Sequence, residues 1–235
     1  MAAGMGADGN KPDLDALYPF LADRKTDPEN MNRALLDSVR RKAADHRSVL
    51  DRFIATNTQA IVDCAKAVAD IYRNKGRLFT LGNGGSSCDA SHIAVEFLHP
   101  VTAGRPALPA FDLSIDKTLM SAVANDVGFD QVYARQIENL VAAGDGVIAV
   151  STSGNSGNLV NAMTQSRKQG CVTIALVGSD GGRLRNLGLD HCIVVDSDSI
   201  HRIQECHVMI YHILWDLVHT LLADERGDLN SPSKA

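Results

Sequence analysis

Ser151-Thr152-Ser153-Gly154-Asn155-Ser156 follows the apolar run Gly146 to Val150 and precedes a helical pattern that begins near Gly157. Four hydroxyls in six positions at a strand–helix junction, together with backbone N–H groups and the positive end of a helix dipole, make an anion site that needs no Lys or Arg. One such serine would be an ordinary helix cap; four favour phosphate. The GK[ST] signature of a nucleotide P-loop is absent. A second loop, Gly82-Asn83-Gly84-Gly85-Ser86-Ser87, also joins a strand pattern to a helix pattern. Its glycines permit close backbone approach, but it does not match G-x-G-x-x-G and identifies nothing alone. The helix after it carries His92 and Glu96, four positions apart and therefore on one face. A long helix near the C-terminus carries Gln204, His207 and His212. Gln204 and His212 are about two turns apart on roughly one face, and His207 lies about 60° away from Gln204. His92, Glu96, Gln204 and His212 together would form a four-ligand N/O site suited to zinc. The same spacings also arise on solvated helices, and His207 and His212 fit equally well as core or surface histidines.

These residues need elements to hold them. Residues 1–27 are rich in Gly, Ala, Asp and Pro and read as a flexible leader. From Pro28 to about Asn74 two apolar stripes repeat at helical spacing, one through Leu35, Val39, Ala43, Leu50, Phe53 and Ile54, the other through Ile61, Cys64, Val68 and Ile71. Two long helices ahead of any strand act either as an arm that packs on another subunit or as a cover for one face of the sheet. Beyond them RLFTL, ALPAFDL, DGVIAVS, CVTIALVG and HCIVVD alternate with stretches of helix length. Strands apolar on both faces and alternating with helices predict a parallel sheet covered on both sides, with right-handed crossovers. A last helix is expected from about Ile203 to Ala223, and residues 224–235 form a polar tail. Ligands in such sheets bind beyond the carboxyl ends of the strands. This puts GNGGSS, STSGNS and the GSDGG after Val177 on one rim.

The composition bounds what that rim can serve. With 235 residues, 45% hydrophobic and 22% charged, the chain is long enough for one α/β domain with extensions. A net charge of -5 without a basic block argues against nucleic acid as the main partner. Five cysteines without a CxxC pair read as reduced, mostly buried thiols. No signal peptide is apparent at the N-terminus, and no uninterrupted apolar run reaches the roughly 20 residues of a membrane helix. A soluble, cytoplasmic protein is expected.

Taken in order, GNGGSSCDASHIAVEF, AVANDVGF, STSGNSGNLVNAM and RIQECHVMIYHIL resemble the phosphoheptose isomerases of the sugar-isomerase (SIS) superfamily, over about residues 35–223. The resemblance implies a three-layer αβα SIS domain (residues 28–223) with a flavodoxin-like parallel sheet and an N-terminal helical arm. It further implies a homotetramer with active sites at subunit interfaces, which favours the arm as an oligomer contact. The family's one zinc per subunit would fall on His92, Glu96, Gln204 and His212. Its substrate contacts would fall on Asn83, Gly84, Gly85, Glu96, Asn125, Asp126, Ser151, Thr152, Ser153, Ser156 and Gln204. The implied reaction turns sedoheptulose 7-phosphate into D-glycero-D-manno-heptose 7-phosphate through an enediol, with Glu96 as base and His212 as acid. Metal binding engages a ligand's lone pair, so either a ligand exchanges during turnover or Asp126 shares the proton work. The chain departs from the family after Glu96, where Leu98-His99-Pro100 stands and the nearest arginine is Arg105, and at His201 before Arg202-Ile203-Gln204. A non-catalytic tetrameric SIS adaptor is the main alternative, and a SIS protein for another sugar phosphate is a further one. Retention of all four candidate ligands separates the present chain from both.

Overall fold

The computed structural model describes residues 28–224; the expected leader, and the tail from residue 225 on, lie outside the described residues. The chain divides into two compact units between Ala44 and Asp45. In its described part the first is only the opening of helix α1 (Pro28–Arg73). The two predicted N-terminal helices are thus one helix of 46 residues. The physical reason is the absence of any Gly or Pro between Pro28 and Gly76, so the polar residues 56–59 that separate the two stripes do not interrupt the backbone. Pro28 occupies a first-turn position, where its missing N–H costs nothing. Lys75, in the left-handed region at φ 62°, turns the chain out of the helix. In the first unit Met31, Leu35, Leu36 and Val39 are exposed, whereas further along Phe53, Ile61, Cys64, Val68 and Ile71 are buried.

Strands β1 (Leu78–Gly82), β2 (Ala110–Asp112), β3 (Gly146–Ser151), β4 (Val172–Gly178) and β5 (His191–Val195) form one wholly parallel sheet in the order β2-β1-β3-β4-β5. All five sequence-predicted strands are present, with ALPAFDL shortened to three residues at the edge. Between them run α2 (Gly85–Leu98), α3 (Lys117–Asp126), α4 (Ala134–Leu140), α5 (Gly157–Lys168) and the single turn α6 (Gly182–Arg185), and α7 (Ile200–Asp224) closes the fold. Alternate strand residues point to opposite faces. Leu78, Ile148, Val150, Ile174 and Leu176 pack with α1, α2 and α7, while Phe79, Leu81, Val147, Ala149, Ala175 and Val177 pack on the side of α3, α4 and α5. Helix α7 is apolar enough by composition to cross a membrane. Here Ile203, Cys206, Ile210, Leu214 and Val218 bury its apolar face in the core. Of the cysteines, Cys64, Cys171 and Cys206 are buried and Cys88 is exposed.

The strand order reverses at β1: the chain steps outward to β2, then back past β1 to β3. An open sheet splits into a crevice at such a switch point, between the carboxyl ends of β1 and β3. Gly82 pairs with Val150 across this boundary, so the glycine loop and the hydroxyl loop leave the sheet side by side. Asp145 anchors the opposite end. Its buried carboxylate accepts from the Arg77 backbone N–H at 2.8 Å, from the Arg77 guanidinium at 2.7 Å and from the Ala142 N–H at 2.9 Å.

Candidate active site

The hydroxyl loop is folded onto its own backbone. The Ser151 Oγ accepts from the Gly154 N–H at 3.0 Å, and the Ser153 Oγ from the Asn155 N–H at 3.3 Å. Ser156 opens α5 without capping it through its side chain, which leaves its hydroxyl uncommitted to the helix end. Gly154, at φ 63°, leaves no room for a Cβ, which would overlap the Gly181 carbonyl. From the other side, a Cβ on Gly182 would overlap the Ser153 carbonyl. The third loop therefore braces the hydroxyl loop main chain to main chain, aided by Leu184 N–H to Gly154 O at 3.0 Å and Arg183 N–H to the Asn155 Oδ1 at 3.0 Å.

The glycine loop is tied to the same structure by a reciprocal amide pair. Asn83 donates to Asn158 and Asn158 donates to Asn83, both at 2.9 Å. The Asn158 Oδ1 also accepts from the Leu159 N–H. Tyr133, buried between α4 and the sheet, donates its hydroxyl to the Gly82 carbonyl. Sequence reasoning assigned Asn83 to substrate and overlooked Asn158 and Tyr133. Asn158 could have been found as an amide in the first turn of the helix that follows the hydroxyl loop; Tyr133 had no sequence signal. Gly84 is the residue before α2, with φ 55°. A Cβ on Gly85 would run into the Gln204 carboxamide, which places that amide at the N-terminus of α2, beside the glycine loop. Asn125 and Asp126 end α3 as exposed residues, with the Asn125 amide donating to the Asp126 carboxylate at 2.7 Å. Among the described residues no hydrogen bond joins them to the other site residues.

Two helices far apart in sequence bring the titratable groups together. Donor atoms of His92, Glu96 and His212 lie within 4.8 Å of one another. The His92 Nε2 is 3.1 Å from the Glu96 Oε1, and the His92 and His212 rings meet edge-on with centroids 5.1 Å apart. Two imidazoles and a carboxylate are the borderline donor set that zinc takes, and three donors at this separation fit a single divalent cation. The His212 pKa is lowered, by burial first and by the neighbouring His92 second, with Glu96 opposing, so the ring is held neutral and available. Gln204 stands two turns from His212 along α7, at Gly85.

Several neighbours hold the trio in place. The Tyr211 hydroxyl lies 2.8 Å from the His92 Nδ1. Burial, then Asp89 and Glu96, raise its pKa, so it stays a phenol. Trp215 donates its indole N–H to the Glu96 carbonyl at 2.8 Å. Arg105, the nearest arginine after Glu96 in sequence, is engaged elsewhere: it pairs with Asp216 at 2.7 Å and lies over the Trp215 ring.

Residues 43–178 match the family model described as a SIS domain. The chain is 39% identical over 184 residues to the phosphoheptose isomerase of a Nitratiruptor species, an alignment that covers 78% of this chain and 98% of that one. Its fold superposes on the structure of a phosphoheptose isomerase from Francisella tularensis with a TM-score of 0.76 at 32% identity, covering 78% of this chain and 97% of the other. A phosphoheptose isomerase from Neisseria gonorrhoeae gives 0.74 at 31% identity, covering 78% and 98%.

Proposed function

This chain belongs to the phosphoheptose isomerase family of SIS-domain proteins and is a sugar-phosphate isomerase, and from that premise we propose that it converts sedoheptulose 7-phosphate to D-glycero-D-manno-heptose 7-phosphate in the cytoplasm through an enediol. The observation that carries the reading is the convergence of His92, Glu96 and His212 from α2 and α7, in a fold whose switch-point rim is lined with hydroxyls. Zinc held by His92, Glu96 and His212, with Gln204 as the fourth donor, would polarise the carbonyl and favour the enediolate oxygens.

The chain's own groups supply the rest. Ser151, Thr152, Ser153 and Ser156, with the N–H groups that open α5, grip the phosphate and fix the register of the sugar. Asn83, Gly84, Gly85, Asn125, Asp126 and Gln204 line its path. Glu96 takes the proton from the carbon next to the carbonyl and returns it to the former carbonyl carbon, while the neutral His212 takes the proton of the neighbouring hydroxyl and gives it to the former carbonyl oxygen. The exposed stripe of Met31, Leu35, Leu36 and Val39 on the opening of α1 supports a homotetramer built through these helices, measurable as a solution mass four times that of the chain.

The test is turnover of sedoheptulose 7-phosphate by purified protein, before and after chelation, with Glu96→Gln and His212→Ala beside the wild type. Each substitution is expected to lower kcat by about 10²–10⁴-fold, and chelation to abolish turnover until zinc is restored. Full activity in Glu96→Gln, or no heptose phosphate from zinc-loaded wild type, sinks the proposal.

A further inference from the structure

His92 presents two ring nitrogens to two different partners. Its Nε2 faces the Glu96 carboxylate at 3.1 Å, and its Nδ1 faces the Tyr211 hydroxyl at 2.8 Å. Tyr211 is only 3% exposed and its ring meets the half-exposed imidazole edge-on, with centroids 5.3 Å apart, so the tyrosine cannot turn without breaking core packing and offers His92 a fixed partner. A hydroxyl both donates and accepts. With the ring proton on Nε2, that N–H donates to Glu96 and the Tyr211 O–H donates to the Nδ1 lone pair. With a cation on the Nε2 lone pair, the ring proton must sit on Nδ1, and that N–H donates to the Tyr211 oxygen. The same two atoms stay bonded in both states, and the imidazole does not have to rotate between them.

We propose that Tyr211 is a positioning residue that presents the Nε2 of His92 to the cation, holding the ring through a hydroxyl that reverses its donor role as the cation binds. The inference rests on the metal reading above and adds to it a residue with no part in the ligand set. Partners of this kind, bonded to the far nitrogen of a ligating histidine, fix its tautomer and raise its basicity. A phenylalanine would fill the same volume and do neither.

The experiment is equilibrium zinc affinity of the full chain, read by competition with a chromophoric chelator, for wild type, Tyr211→Phe, His92→Ala and the double variant. Tyr211→Phe is expected to weaken zinc binding about 10–100-fold, while the double variant binds no more weakly than His92→Ala alone, because Tyr211 acts only through that ring. Unchanged affinity in Tyr211→Phe, or a further loss in the double variant, overturns the assignment. A second readout needs no variant. Imidazole nitrogen shifts of zinc-loaded wild type should show His92 ligated through Nε2 and protonated at Nδ1; ligation through Nδ1 overturns the proposal even if Tyr211→Phe does not fold. Failure of the metal reading itself looks different: wild type and His92→Ala would then bind zinc equally, or not at all.

Discussion

The two halves of the candidate site are made of different material. The rim beside β1 and β3 is main chain against main chain: Gly154 under the Gly181 carbonyl, Gly182 under the Ser153 carbonyl, and loops stitched by the Asn83–Asn158 pair. The trio on α2 and α7 is made of side-chain tips, with His92 42% and Glu96 22% exposed at the side chain. A phosphate is gripped by many weak, neutral donors, each useful only if it is already in place, so its site must be rigid before the ligand arrives. A cation supplies its own ordering, since it binds each donor strongly and needs only that three tips can reach it. The difference implies that damage to the two halves should be separable.

The largest break in that comparison comes from Gly154→Ala. The new Cβ would sit at a left-handed φ of 63° and overlap the Gly181 carbonyl, which is backbone and cannot swing away. The strain and the displaced loop together are expected to cost about 3–5 kcal/mol in urea unfolding and to raise KM for the phosphorylated substrate at least tenfold. Zinc affinity by chelator competition should change less than about twofold. An equal fall in zinc affinity would show that the halves are one unit after all. A smaller cut is Asn158→Ala, which removes the partner of Asn83 and one acceptor of the Leu159 N–H. The Leu159 N–H keeps the Ser156 carbonyl at 3.1 Å, so the loss falls on the half-buried Asn83 amide and should cost about 1–2 kcal/mol and raise KM more than it lowers kcat. A kcat loss with KM unchanged would mean that Asn83 works on the chemistry and not on the grip.

The same difference in material decided what could be read from sequence. The sheet was legible because Leu78 to Gly82, Gly146 to Ser151 and Val172 to Gly178 are short apolar runs that end at glycine or hydroxyl loops, a local pattern. The rim followed, since a loop after a parallel strand has one place to go. His92 with Glu96 was legible as a face of one helix, but its meeting with His212 depends on how α2 packs against α7, and no local rule carries that. Tyr211 escaped for the same reason: its partner lies 119 positions away in the chain. The single α1 reads as two helices in the sequence because the polar residues 56–59 split one apolar stripe in two, and a gap in a stripe is not a break in the backbone. Arg105, the nearest arginine after Glu96 in sequence, is held by Asp216 and Trp215; proximity along the chain said nothing of where its side chain turned.

The last prediction concerns the element that touches both halves. Helix α7 packs Ile203 against Gly178, where an added Cβ would come within 2.5 Å of Ile203 and 2.6 Å of the Thr152 carbonyl, and it carries His212 about two and a half turns further on. Between these lies His207, fully buried. Burial pushes its pKa down to about 4, with the Val177 backbone opposing. In the unfolded chain an imidazole titrates near 6.5. Above that pH both states are neutral and His207 contributes no pH dependence. Between about 6.5 and 4 the unfolded chain takes up a proton that the folded chain refuses, so stability falls as the pH falls. At about pH 5 the cost should be about 2 kcal/mol relative to about pH 8, read as a lower urea midpoint with an unchanged slope. His207→Leu should remove that part of the acid sensitivity while other groups keep theirs, so the difference between the two proteins isolates it. Because His207 sits on α7 between the rim contact and the trio, the acid penalty should fall on the whole fold, with phosphate grip and zinc affinity failing together at the unfolding midpoint. Rim failure at a pH where zinc still binds would instead make α7 a hinge between two independently stable halves.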